Sequence, residues 1–362
     1  MKTSKAPKRK RSELSAQGPR DPAEIHFIKR IREDIRAAGA ATNRESAIHV
    51  VRAYYQVQEV RKMADAQATA ALKAGTPNVL LDWLTAEFMA VENEIQSAMD
   101  AFSDRFTVGR WSKSVHGIGP ILSAGLIAHL DIRRAPHVGH IWSFVGAVPS
   151  VAWHSRDEAA ALVKRVLGDS RTPLTEDDVR RVCTEANKRF DSVWRFATTN
   201  KDGESVPLTR SSLAKSLSRR PWSADAKVLR WKVGECLVRA SGSEKSFYGP
   251  YYRNYKAYLE GKNEAGDYRE AAAEMLRTKR VEDAQARATL ESGKLLPAHL
   301  DRRARLWLSK MFLAHWHHVA YEDHHGKPPA RPYALEHLGH ADYIPPPGWP
   351  LSTVESKKVA GE

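Results

Sequence analysis

Apolar residues recur at helical spacing along most of the chain. Ile25, Ile28, Ile31 and Ile35 stand three or four positions apart and form one stripe, opened by Asp21-Pro22. A second helix is predicted after Thr42-Asn43-Arg44-Glu45, with Gly75-Thr76-Pro77 ending it. A third carries Leu80, Leu81, Trp83, Leu84, Phe88, Met89, Val91, Ile95 and Met99. Two long helices joined by Gly-Thr-Pro read as an antiparallel hairpin over residues 21–106. The pattern fits a dimerisation arm and an ordinary bundle equally.

The helical pattern continues beyond the hairpin. In 107–155, small and apolar residues (Ile121, Ala124, Gly125, Ala128) mark a helix against which another helix can pack closely, and a short helix follows, ending near Phe144. Residues 156–219 read as an insertion. It contains an amphipathic helix from Asp157 to Leu167, a capping box beginning at Thr175, and a polar stretch, 200–219, expected to be a mobile loop. From 220 to 325 the pattern predicts a helix capped by Ser223, a tyrosine-rich helix, a charged helix over 267–290 and an apolar one over 297–325. The tyrosines (Tyr248, Tyr251, Tyr252, Tyr255, Tyr258) suit packing or base stacking. A basic tail (1–20, with Lys8-Arg9-Lys10-Arg11) and a Pro-rich tail (326–362) flank these parts. No alternating strand pattern occurs, so the fold class expected is all-α.

Composition narrows the partners. Of 362 residues, 57 are Lys or Arg and 43 are Asp or Glu, so the formal charge of +14 attracts a polyanion and makes its binding salt-dependent. The two cysteines, Cys183 and Cys236, suit a reducing cytoplasm and are too few for a disulfide framework. No run of about 18 apolar residues is present, so neither a membrane span nor secretion is expected.

Candidate chemistry begins at Gly117-Ile118-Gly119-Pro120. Glycines leave the turn without Cβ atoms, and proline suits the first position of the next helix. Unsatisfied N–H groups and the helix dipole at such a start accept a phosphate, and Lys113 adds charge nearby. The alternative is a tight loop between core helices. Further on stands Phe144-Val145-Gly146-Ala147-Val148-Pro149, and after the insertion come Arg220-Pro221-Trp222 and the basic helix bearing Lys227 and Arg230.

Gly-Ile-Gly-Pro, a small-residue helix, then aromatic-x-Gly-x-x-Pro resembles the C-terminal transposase domain of the insertion sequence 110/116/902 family. The segment from Arg220 to Arg230 is similar to that family's second block. The resemblance implies a helix-hairpin-helix-containing transposase-like domain, with the preceding hairpin in the place of the family's coiled-coil region. It also implies strand transfer through a phosphoserine, assisted by a RuvC-like acidic domain. The function expected is a DNA-binding, transposase-like protein of a mobile element. The alternative is a non-catalytic accessory or regulatory protein derived from one. Gly117, Ile118, Gly119, Lys113, Arg220, Lys227 and Arg230 are the candidate DNA-binding residues.

The acidic half of that active site is missing from the sequence. A RuvC-like core needs several carboxylates around two magnesium ions, whereas Glu33, Asp34, Glu87, Glu92 and Glu94 stand at positions typical of a solvated helix face. No cofactor is therefore expected in this chain, with Mg2+ entering through a RuvC-like partner chain; a guide RNA and self-association are further expectations. Trp153-His154-Ser155-Arg156 offers Ser155 in the aromatic-x-Ser spacing of the family's nucleophile, with Arg156 where the family has glycine. A surface serine at a loop start is the alternative. His315, His317, His318, His324 and His325, with His337, His340 or Asp342, form a histidine-rich region in which packing is favoured over a metal.

Overall fold

The computed structural model describes residues 34–148, 153–168, 173–200, 202–330 and 343–351. The basic tail, Ile25, Ile28 and Ile31, residues 149–152, and His337, His340 and Asp342 lie outside them. The described residues are all-α, and their one β feature is an isolated bridge between Thr199 and Ser205. None of the described helices is long and apolar enough to cross a membrane. Contacts divide the chain into two compact units, Met1–Gly109 and Arg110–Glu362.

In the first unit, helix α1 (Arg44–Lys73) and helix α2 (Val79–Asp104) pack along each other, preceded by a helical segment at 34–41. Each long helix starts on an asparagine. The Asn43 side chain accepts from the Ser46 N–H at 2.8 Å and that of Asn78 from the Leu80 N–H at 3.0 Å, satisfying donors the helix leaves open. Gly75, at φ +74°, turns the chain between them. Ala47, Val51, Ala64, Met99 and Phe102 are buried in the seam. Glu92, expected on a solvated face, is instead buried and paired with Arg61, because the carboxylate reaches the guanidinium across the two helices. Leu72, Val79, Leu80 and Trp83, around the turn, are exposed.

The second unit is built on helix α4 (Pro120–His129), whose residues Ile121 to Ala128 are all buried. Helix α3 (Thr107–Ser114) leads into it and helix α5 (Val138–Phe144) follows it. The insertion then forms helices α6 (Arg156–Leu167), α7 (Glu176–Glu185), α8 (Phe190–Thr198) and α9 (Arg210–Leu217) around their own apolar cluster. Helix α9 lies where a mobile loop was expected. Leu213, Ala214 and Leu217 are buried against α6 and α8, and Thr209 and Ser212 cap the helix start, so three apolar positions outweigh a polar composition.

The chain returns to the core with helix α10 (Ala224–Arg239), which packs on α4. Next come the tyrosine-rich helix α11 (Tyr248–Glu264), then α12 (Arg269–Thr278) and α13 (Ala284–Glu291). The single charged helix expected over 267–290 is thus two, since Asp283 caps a new start by accepting from the Ala286 N–H at 2.6 Å. Helix α14 (Pro297–His325) spans the unit and packs on α5, α10 and α11. Trp111 stacks on its Phe312 at 5.7 Å between centroids, and the Trp111 Nε1–H donates to the Pro347 carbonyl at 2.9 Å, which ties part of the Pro-rich tail to the core.

Candidate nucleic-acid interface

The two glycine turns hold α10 at its opposite ends. At the first turn, Gly117 has φ +100°, and a Cβ there would lie 2.9 Å from the Ala240 Cβ and 3.1 Å from the Cys236 carbonyl oxygen. Glycine therefore serves both the left-handed backbone and the close approach of α10. Gly119 differs. It is the N-cap of α4 in extended conformation, makes no side-chain cap, and a Cβ would meet open space. The side chain of Ile118 is buried in the core, so only its backbone can meet a ligand, and Lys113 is half-buried in the last turn of α3.

The second turn joins segments that are about eighty residues apart in the chain. Gly146 has φ +62°, and a Cβ there would sit 3.1 Å from the Trp222 Cγ and 3.2 Å from the Lys227 Cδ. The Ser223 N–H donates to the Phe144 carbonyl at 2.9 Å, and the Ser223 hydroxyl accepts from the Ala226 N–H at 3.2 Å, so one residue anchors α5 and starts α10. The Lys227 ammonium lies 4.3 Å from the centre of the Trp222 ring. Arg220 lies 5.4 Å from that of Trp153, whose own ring centre is 6.3 Å from that of Trp222. The Trp153 indole is fixed by donating to the Ser218 carbonyl at 3.0 Å.

Charge at this end of α10 is unbalanced. Arg220, Lys227 and Arg230 pair with no carboxylate among the described residues, and the Arg230 Nε is buried without a hydrogen-bond partner there. Burial lowers the Lys227 pKa, and the nearby Arg230 and Arg220 lower it further; burial also lowers that of Arg230. Lys227 and Arg230, which shed part of their hydration, stand beside the exposed Arg220, and such a cluster of like charges is a site that an anion stabilises. Further along α10 the chemistry is the opposite. Arg305, which packs against Gly234, is held by Glu235 and by Asp301, the latter at 2.6 Å.

Sequence reasoning singled out Arg220, Lys227 and Arg230 but not the ring contacts of Arg220 and Lys227, nor Lys310, whose ammonium lies 4.4 Å from the Trp142 ring centre. The Trp142 indole N–H donates to the Lys310 carbonyl at 3.1 Å, fixing this pair to the same α5. Arg-Pro-Trp followed by Lys at 227 was the available signal, whereas Trp142 and Lys310 meet only through the fold.

Ser155 is the N-cap of α6. Its hydroxyl accepts from the Glu158 N–H at 3.2 Å, while its own N–H donates to the Glu158 carboxylate at 2.7 Å, which lowers the pKa of that carboxyl. The His154 Nε2 faces the Ala186 carbonyl at 3.3 Å. Within the histidine region, His315 and His317 are hydrogen-bonded parts of the core, whereas His324 and His325 are exposed. The Tyr248 hydroxyl donates to the His315 Nδ1 at 2.7 Å, the His315 Nε2 donates to the Ile344 carbonyl at 2.9 Å, and the His317 Nε2 donates to the Ala135 carbonyl at 2.8 Å. No three or more His, Cys, Asp or Glu side chains converge as a metal site among the described residues. Three residues of the tyrosine helix pack, since Tyr248 and Tyr252 are buried and Tyr255 stacks on Trp307 at 4.4 Å, while Tyr258 is exposed.

Comparison of the chain with protein-family models, with curated proteins and with solved structures yields no match.

Proposed function

We propose that this chain is a DNA-binding, transposase-like protein of a mobile element, and that it holds the phosphate backbone on the face formed by the Gly146 turn and the start of α10. The observation that carries the reading is the cluster of Arg220, Lys227 and Arg230, which has no carboxylate partner among the described residues. A polyanion relieves both the mutual repulsion and the lost hydration of such a cluster, and a formal charge of +14 steers it there. Contacts of this kind position a duplex without reading its sequence. The start of α4 at Gly119 offers a second, uncapped set of N–H groups to a phosphate. Self-association belongs to the same reading, supported by the exposed Leu72, Val79, Leu80 and Trp83 of the first unit.

The test is a fluorescence-anisotropy titration of a labelled duplex with the wild-type chain and with Lys227→Glu/Arg230→Glu. The expected result is binding with little sequence preference that weakens about ten-fold or more on charge reversal, with the thermal melt retained. Equal affinities of the two proteins remove this face from the function.

The second reading is DNA binding without strand transfer, as in an accessory or regulatory protein. The capping geometry of Ser155 favours it, because both polar groups of that residue are engaged at the start of α6. In the catalytic reading a RuvC-like partner chain brings the carboxylates and Mg2+.

A further inference from the structure

The cation cluster continues as a line of cation–aromatic pairs. Arg219 lies 3.6 Å from the centre of the Phe196 ring, the next residue, Arg220, covers Trp153, Lys227 covers Trp222, and Lys310 covers Trp142. The pairs are linked in order: Arg219 is followed by Arg220, Trp153 approaches Trp222, Trp222 backs on Gly146, and Gly146 ends the helix that bears Trp142. None of these four cations pairs with a carboxylate among the described residues. Two of the rings are not sealed either, since Trp153 is 41% exposed and Phe196 39%.

A duplex uses the cations of this surface but not its rings. It offers phosphates outward and keeps its bases stacked inside, so exposed rings between the cations would gain nothing from it. An unpaired strand offers both groups in alternation. A ring fixes the plane of an overlying guanidinium and leaves the N–H donors at its edge free for a phosphate, while an open aromatic face accepts a base. We infer that the line from Phe196 to Trp142 is a track for single-stranded DNA. Arg219, Arg220, Lys227 and Lys310 hold its phosphates, and bases stack on Phe196 and Trp153. This rests on the DNA-binding reading above and adds the form of the DNA. Strand exchange passes through unpaired segments, which such a track retains.

The experiment compares an oligothymidylate with a blunt duplex of equal length, each labelled and titrated with the full chain. Phe196→Leu/Trp153→Leu keeps apolar bulk and removes the rings; Phe196→Tyr/Trp153→Phe keeps rings and loses the indole N–H. The leucine variant should lose about ten-fold or more in affinity for the oligothymidylate and distinctly less, about three-fold, for the duplex, for which only the placement of Arg219 and Arg220 is disturbed, while the aromatic variant binds both like wild type. Equal losses on both DNAs, or none on the oligothymidylate, overturn the track while leaving duplex binding in place. If the wild-type chain binds neither DNA, the functional reading falls and the track with it.

Discussion

Gly146 and Trp222 lie back to back: the indole fills the space a side chain at position 146 would need, with Cγ 3.1 Å from the ideal Cβ. The contact joins the turn after α5 to the start of α10, where the Lys227 side chain also lies against Gly146 and its ammonium lies 4.3 Å from the centre of the same ring. Gly146→Ala must strain a backbone at φ +62° and push Trp222 and Lys227 outward. We predict a loss of about 1–2 kcal/mol in stability by chemical denaturation, accompanied by weaker duplex binding. Unchanged stability and affinity would show that the turn tolerates a side chain.

The two glycines of the Gly-Ile-Gly-Pro turn should behave differently. Gly117→Ala meets Ala240 and the Cys236 carbonyl at positive φ and should destabilise the second unit by about 1 kcal/mol or more. Gly119→Glu projects into open space at the start of α4, so its melting temperature should stay near wild type while its DNA affinity falls, because the carboxylate occupies the phosphate position. Wild-type affinity in Gly119→Glu would remove the α4 start from the interface.

Ser155 is tested by separating its two roles. Ser155→Ala loses the cap and should cost about 1 kcal/mol, whereas Ser155→Asp keeps an acceptor at the N-cap and should be nearly neutral. Neither variant can form a phosphoserine. Strand transfer by either one, assayed with labelled DNA, magnesium and a RuvC-like partner, would dismiss the serine as nucleophile, and loss of a covalent protein–DNA adduct in both would support it.

Acid should weaken the core through His315. Burial beside Tyr248 lowers its pKa from 6.5 to about 4, so the unfolded chain takes up the proton first as pH falls. The stabilisation is complete above about pH 6.5 and is lost progressively down to about pH 4, roughly 3 kcal/mol in all. His317, lowered in the same direction by burial, adds to it. Denaturation midpoints measured across this range should fall less in His315→Gln than in wild type. Parallel pH profiles would contradict the assignment.

What was legible in the sequence was local. Thr175 and Asp178 announce a capping box that the structure forms, Ser223 caps α10, and the apolar run from Pro297 gives α14 its observed bounds of Pro297–His325. What was not legible depends on tertiary partners. Leu213 and Leu217 make a helix only because α6 and α8 cover them, and Glu92 leaves solvent only because Arg61 faces it. The site divides in the same way. Arg220, Lys227 and Arg230 stand out as a basic segment with Trp222 inside it, but the pairing of Arg220 with Trp153 requires chain segments brought together across the insertion.

The central claim, that the start of α10 holds DNA phosphates, is tested most directly by the salt dependence of duplex affinity. Each lost phosphate contact lowers the slope of log affinity against log salt by about 0.9. Arg220→Ala/Lys227→Ala/Arg230→Ala should therefore bind more weakly at low salt, with a slope reduced by about two to three and the helical circular-dichroism signal retained. A slope equal to that of wild type, with the fold intact, would contradict the account.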